Sequence, residues 1–200
     1  MLVTRRILLS VVAASAALPA GLASAAEVDT HAERGIGKAD AKVKVEEFFS
    51  LTCSHCAAFA QETFPEIKAK LIDTGKLRWI FRDFPLDQVA LTAAMVAHYL
   101  PPDRYEPFVL ALLASQDRWA FAQGINHNDE LWKFAALAGM SKDSFDKAVS
   151  DTALRTWILK EQNAAQKQWG IDSTPSFVVN GKEYSGEMSY DAFRKLIPDA

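Results

Sequence analysis

Cys53 and Cys56 are the only cysteines in a chain of 200 residues, and two positions separate them. A pair so close cannot staple distant segments together, so the fold must stand on its own hydrophobic core. Half of the residues are hydrophobic and 24% are charged, which supports such a core and excludes disordered or collagen-like classes. The length allows one domain, or one domain carrying an elaborate insertion. A formal charge of −3 leaves no basic footprint, so no nucleic-acid partner is expected. Upstream of the pair, Val43, Val45 and Glu47 alternate with Lys44 and Glu46 and lead into Phe48-Phe49, the pattern of a strand. Residues 52–73 read as a helix, with Thr52 a candidate cap, a kink at Pro65 and Gly75 beyond its end. The cysteines therefore fall where a strand runs out and a helix begins.

That position gives them a chemistry. The first amides of a helix lack intrahelical acceptors and carry the positive end of its dipole, so a sulfur there is favoured as thiolate over thiol. A thiolate attacks disulfides, and an acidic thiol is also a good leaving group. His55, if protonated, adds a positive charge that acts in the same sense. A zinc half-site would need two further ligands, and His31, His98 and His127 are scattered without paired spacing. Haem attachment would need a histidine where Ala57 stands. A structural disulfide gains little from so short a loop. Redox chemistry is the leading reading, with no metal or other cofactor expected; metal binding and a purely structural pair are the alternatives.

The first 25 residues read as a cleaved leader. Arg5 and Arg6 precede an apolar run from Ile7 to Leu22, which ends in Ala23-Ser24-Ala25. Cleavage near Ala25 or Ala26 removes two arginines and no acids, so the charge passes from −3 to −5. Thr4-Arg5-Arg6 also fits a twin-arginine leader, so export by either the general or the twin-arginine route is open. Either route leads to the bacterial periplasm, where disulfides persist. Residues 26–40 are polar and read as an N-terminal tail. Residues 77–81 form a second strand. From residue 87 to 169 the pattern is helical, broken at Pro101-Pro102, around Gly124 and at Gly139, and closed by Gly170, with Ser141 and Asp129 as candidate caps. Residues 177–179 and 182–185 make a hairpin about Asn180-Gly181, and Ser189 caps a closing helix that reaches Ile197. His98, beside Tyr99 in an apolar helix, reads as a packing residue, and Trp119, Trp132, Trp157 and Trp169 as core and boundary aromatics.

Three segments carry a resemblance. Glu47-Phe48-Phe49-Ser50-Leu51-Thr52-Cys53-Ser54-His55-Cys56 resembles the active-site segment of the DsbA-type thiol:disulfide oxidoreductases. Phe81-Arg82-Asp83-Phe84-Pro85-Leu86 resembles the segment after the second strand in that branch of the thioredoxin superfamily. Thr174-Pro175-Ser176-Phe177 resembles the superfamily's cis-proline segment. The resemblance implies an α/β thioredoxin fold with an inserted all-helical domain: residues 41–86 and 170–200 form the thioredoxin-like part, and 87–169 the insertion.

Carried over by position, the resemblance implies that Cys53 is the exposed nucleophile and Cys56 the resolving thiol, the two forming a redox-active disulfide. His55 helps hold the thiolate. Pro175 is the cis-proline facing the disulfide, and the backbone of Thr174 pairs with a bound peptide. Glu47 is a buried acid beneath the site, a placement the alternation of Val43, Val45 and Glu47 supports independently; there it can exchange protons with Cys56. Ser54 stands where the best-known members have proline, and Thr174 where they have valine. The implied partners are reduced or unfolded exported proteins and a DsbB-like quinone-linked membrane protein, and the short tail suggests a monomer. A reductase or isomerase, or a non-catalytic metal- or peptide-binding chaperone, are the alternative functions.

Overall fold

The computed structural model describes residues 28–197. The leader assigned to residues 1–25 lies outside that range. Among the described residues five strands form one sheet, in the order β1-β3-β2-β4-β5. Its centre is β2 (Val43–Phe49) beside β3 (Leu77–Asp83), which run parallel and in register from Val43 opposite Leu77 to Phe49 opposite Asp83. A parallel pair needs a crossover, and the helical segment that begins at the cysteines supplies it. On the far side of β2, β4 (Ser176–Val179) runs antiparallel and turns back into β5 (Lys182–Ser185). Asn180 and Gly181 both have positive φ, 48° and 82°, as a two-residue primed turn requires.

Both faces of the sheet are covered. Val43, Val45 and Phe49 point into the main core, where Trp79 lies among Phe59, Phe64, Phe177 and Phe193 at ring-centroid distances of 5.2–6.2 Å. Phe48 points the other way, into a smaller cluster with Phe84, Ala165, Ile171 and Val178. Between β3 and β4, the described chain forms α3 (Gln88–His98), α4 (Pro102–Leu113), α5 (Gln116–Trp119), α6 (His127–Leu137), α7 (Lys142–Ser150) and α8 (Thr152–Trp169). They make up the inserted helical domain of a thioredoxin fold. Ser141 caps α7 as expected, whereas α6 is capped by Asn126 rather than Asp129. Asn126 Oδ1 reaches the first free amides of the helix, and Asp129 already lies inside its first turn. Ser189 caps α9 (Tyr190–Arg194), which stops short of Ile197.

The crossover is not one kinked helix over 52–73. α1 (Ser54–Glu62) ends at Thr63, α2 (Phe64–Ile67) restarts with Pro65 in its first turn, and a π-helical turn (Lys68–Ile72) follows. Pro65 has no N–H to continue the ladder, so the break comes before the proline rather than at it. The Thr63 hydroxyl donates to Met188 O at 2.9 Å, tying the break to the loop after β5.

The polar stretch read as a tail contains a further strand, β1 (Arg34–Ile36), antiparallel to β3. Hydrophobic patterning missed it because its anchor is a buried arginine. Arg34 Nη2 donates to the backbone oxygens of Asp29 (3.1 Å) and His98 (2.6 Å). The His98 ring bridges Thr30 O and Asp83 Oδ2, each at 2.7 Å. His98 does pack, and it also bonds the N-terminal segment to the end of β3.

Candidate active site

β2 delivers the chain at Phe49 to a tight loop whose backbone closes from Cys53 N to Ser50 O at 3.1 Å. Ser50 is almost wholly buried, and its hydroxyl accepts from the amides of Thr52 (3.4 Å) and Leu86 (3.3 Å). Thr52 does not cap the helix. Its hydroxyl donates instead to Asp87 Oδ2 at 2.7 Å, while Asp87 Oδ1 accepts from Ala90 N to cap α3. The cap of α1 is Cys53 itself, with extended backbone (φ −85°, ψ 120°) and its sulfur accepting from Cys56 N at 3.4 Å. The sulfur thus occupies the place of a capping oxygen, over the unpaired amides of the helix.

Both thiols are free, and Cys53 is buried, 7% exposed, rather than the exposed sulfur that the resemblance implies; the two are nonetheless electrostatically unlike. The Cys53 thiol is pulled down to about 5, first by the hydrogen bond from the Cys56 thiol. Burial opposes this, while the Thr174 side chain and the amides of Cys56 and His55 add to it. As a thiol, Cys53 donates to Thr174 O at 3.2 Å. The buried Thr174 hydroxyl then has no acceptor among the described residues, and it gains one when the sulfur ionises. Cys56 is inaccessible to solvent, and burial, followed by its donation to Cys53, pushes its thiol far above the ordinary range. One sulfur is poised as a thiolate and its neighbour is held as a thiol.

Glu47 is 4% exposed, on the face that carries Val45 and Phe49 into the core. Its Oε2 accepts from Trp79 Nε1 at 3.2 Å. Burial pushes its carboxyl up to about 8; the indole bond opposes this, and charge on Cys53 adds to it. Its field reaches Cys56, whose ionisation it disfavours. The Thr174–Pro175 peptide bond is cis, and Gly186 N donates to Pro175 O at 2.8 Å, so the base of the β4–β5 hairpin holds this segment against Cys53. Cys53, Cys56, Thr174, Pro175 and Glu47 therefore converge. The His55 ring points outward, with Nδ1 3.3 Å from Glu187 Oε2, and the residue's link to the sulfur is its backbone amide.

Sequence reasoning missed two neighbours. Glu187, from the loop after β5, faces His55. Gln116, 7% exposed at the start of α5, donates from Nε2 to Leu51 O and Cys53 O, both at 2.9 Å. Neither carries a local signal, because each meets the site only through the tertiary fold.

Comparison with known proteins agrees with this geometry. The family model described as Thioredoxin matches residues 29–199. The crystal structure of Wolbachia pipientis alpha-DsbA1 superposes with a TM-score of 0.77 at 32% identity, covering 82% of this chain and 88% of that one. The fold is also similar to that of oxidised BdbD from Bacillus subtilis, with a TM-score of 0.73 at 24% identity, over 82% of this chain and 90% of that one. A Rickettsia conorii protein, named provisionally as a protein-disulfide oxidoreductase, is 30% identical over 166 residues. That match takes in 82% of this chain and 59% of the relative, so the chain spans little more than half of the curated protein's length. From its cysteine pair, its cis-proline segment and its fold, the chain belongs to the DsbA-like disulfide oxidoreductases of the thioredoxin superfamily.

Proposed function

We propose that the protein is an exported thiol:disulfide oxidoreductase that donates a Cys53–Cys56 disulfide to reduced or unfolded client proteins. The observation that carries this reading is the Cys53 sulfur seated as the cap of α1, 3.4 Å from Cys56 N, beside a Cys56 inaccessible to solvent. That arrangement pulls the first thiol down to about 5 and pushes the second far up. In the oxidised enzyme, a client thiolate attacks Cys53 Sγ and breaks the bond to Cys56. The departing Cys56 sulfur cannot remain charged in its buried site, and it takes up a proton for which Glu47 is the nearby carrier. A second client thiolate then attacks the client sulfur of the mixed disulfide, and Cys53 leaves as the stabilised thiolate. The client loses two electrons and the enzyme gains them. Thr174 and Pro175 present backbone beside Cys53, where an extended client segment can pair, and His55 and Glu47 complete the site. A DsbB-like quinone-linked membrane protein would accept the electrons, and the enzyme would act as a monomer. On this reading residues 41–86 and 170–200 would form the redox unit, and 87–169 the insertion.

Oxidised protein mixed with a reduced, unfolded client should form client disulfides at the expense of its own. Cys56→Ser should accumulate mixed disulfides through Cys53, because the resolving thiol is gone, and Cys53→Ser should accumulate none. Insulin reduction without client oxidation would assign the site to a reductase instead. Trapping through Cys56 would overturn the assignment of the nucleophile. Export rests on the 1–25 leader, and protein recovered from the periplasm should have an intact mass that starts within a residue of Ala26.

A further inference from the structure

One side chain of the inserted domain, Gln116, hydrogen-bonds the backbone at the start of the helix that presents Cys53. Gln116 stands at the first position of α5, 63 residues beyond Cys53, and is 7% exposed. Its amide donates to Leu51 O and Cys53 O, each at 2.9 Å. Cys53 O also accepts the first helical bond of α1, from Ala57 N at 3.1 Å, so Gln116 fills its second lone pair. Among the described residues no other donor reaches Leu51 O. Leu51 and Cys53 are buried, so solvent cannot replace these bonds. The donor is itself fixed. Gln116 O accepts the amides of Ala120 and Phe121, and the fully buried Trp119 on the same short helix bonds Leu112 O at 2.8 Å.

We infer that Gln116 is a positioning residue for thiol–disulfide exchange: by gripping the peptide units on either side of Thr52 and Cys53, it keeps the Cys53 sulfur over the amides of α1 and thereby sets how oxidising the pair is. The grip acts on the cap's backbone orientation (ψ 120°), which aims the sulfur at Cys56 N. Releasing it frees both peptide units to turn, leaves the buried Leu51 O unpaired and leaves Cys53 O with only the bond from Ala57 N, so two carbonyl dipoles near the thiolate lose a compensating donor. Both changes disfavour the thiolate. A residue of the helical insertion thus regulates chemistry on the thioredoxin-like part. The inference rests on Cys53 being the nucleophile.

The test compares the parent with Gln116→Met, which keeps the length and loses the donors, and Gln116→Glu, which keeps the shape and loses the donors when ionised. Thiolate absorbance of the reduced proteins against pH, and their equilibrium with glutathione, are measured at matched folded fraction. The variants should titrate about 0.5–1 pH unit higher and shift the glutathione equilibrium about 3- to 10-fold toward oxidised enzyme. A merely structural tie would lower stability and leave both readouts in place; a folded variant that matches the parent in both overturns the inference. If neither variant folds, the side-chain amide of Gln116 in glutamine-15N-labelled parent protein decides. Its resonances should move with the Cys53 titration, and their failure to move overturns the inference. A parent whose Cys53 titrates as an ordinary thiol would instead overturn the catalytic reading itself.

Discussion

Between pH 5 and pH 8 the reduced protein should gain about 3–4 kcal/mol of stability over the oxidised protein. Cys53 titrates near 5 in the folded reduced form and near its ordinary 9.0 when unfolded. Across that window the unfolded chain holds a proton that the folded chain has released, so folding becomes more favourable as pH rises. The contribution is complete above the unfolded value and is lost as pH falls through the folded one. Its slope is about 1.4 kcal/mol for each pH unit. The oxidised form has no thiol to titrate. Glu47 titrates in both forms, so most of its effect cancels in the difference. Against the thiolate stands the chain-entropy advantage of the closed loop, about 2 kcal/mol for so short a ring. The two forms should therefore be equally stable near about pH 6.5, with the oxidised form ahead below and the reduced form ahead above. In redox terms each 1.4 kcal/mol of preference for the reduced form raises the potential by about 30 mV. Urea unfolding of both forms at several pH values, with exchange blocked, measures the difference directly. A lead of the oxidised form that stays constant from pH 5 to 8 would make the pair a structural staple and end the donor-oxidase reading.

The origin of this behaviour was legible in the sequence to the extent that it is local. Alternation in 43–49, a cysteine pair at a strand-to-helix junction and the Asn180-Gly181 turn are short-range patterns, and each appears where expected, whereas the cis bond at Thr174-Pro175 was implied by the family resemblance alone. Alternation also placed Glu47 on the buried face. What failed depends on contacts between distant segments. β1 hides in a polar stretch because Arg34 finds its partners in backbone oxygens of Asp29 and His98, the latter 64 residues away. Thr52 lost the cap to Cys53 because Asp87 takes its hydroxyl and a sulfur can fill the capping role. Gln116 is one polar residue in a helical block, and no periodicity marks a side chain whose importance lies in two carbonyls of another domain.

Glu47→Gln should make the protein more stable and less active at once. In the folded protein the Glu47 carboxyl holds its proton up to about 8, whereas in the unfolded chain it returns to its ordinary 4.5. Between those values the folded state holds a proton that the unfolded state has lost. Stability from this residue is thus fully present below 4.5 and declines as pH rises toward 8, the opposite sense to Cys53. At pH 7 the buried acid costs about 3 kcal/mol. Glutamine has no proton to lose there, and its carbonyl can still accept from Trp79 Nε1, whose bond to Glu47 Oε2 is 3.2 Å. The variant should therefore exceed the parent by about 3 kcal/mol at pH 7 and match it near pH 4, as urea titrations at the two pH values would show. Exchange should move the other way. Cys56 is inaccessible to solvent and must change protonation as its bond forms and breaks, and Glu47 is, beside Cys53 itself, a titratable side chain whose field reaches it. Without that carrier, resolution of the mixed disulfide should slow by about 10- to 100-fold in stopped-flow exchange with a model disulfide. A solvated Glu47 would leave both measurements unchanged, and a purely structural one would move only the first. Selection for stability alone would have removed a carboxyl from this place in the core; a gain of stability with a loss of rate would show that it is kept for proton transfer to and from Cys56.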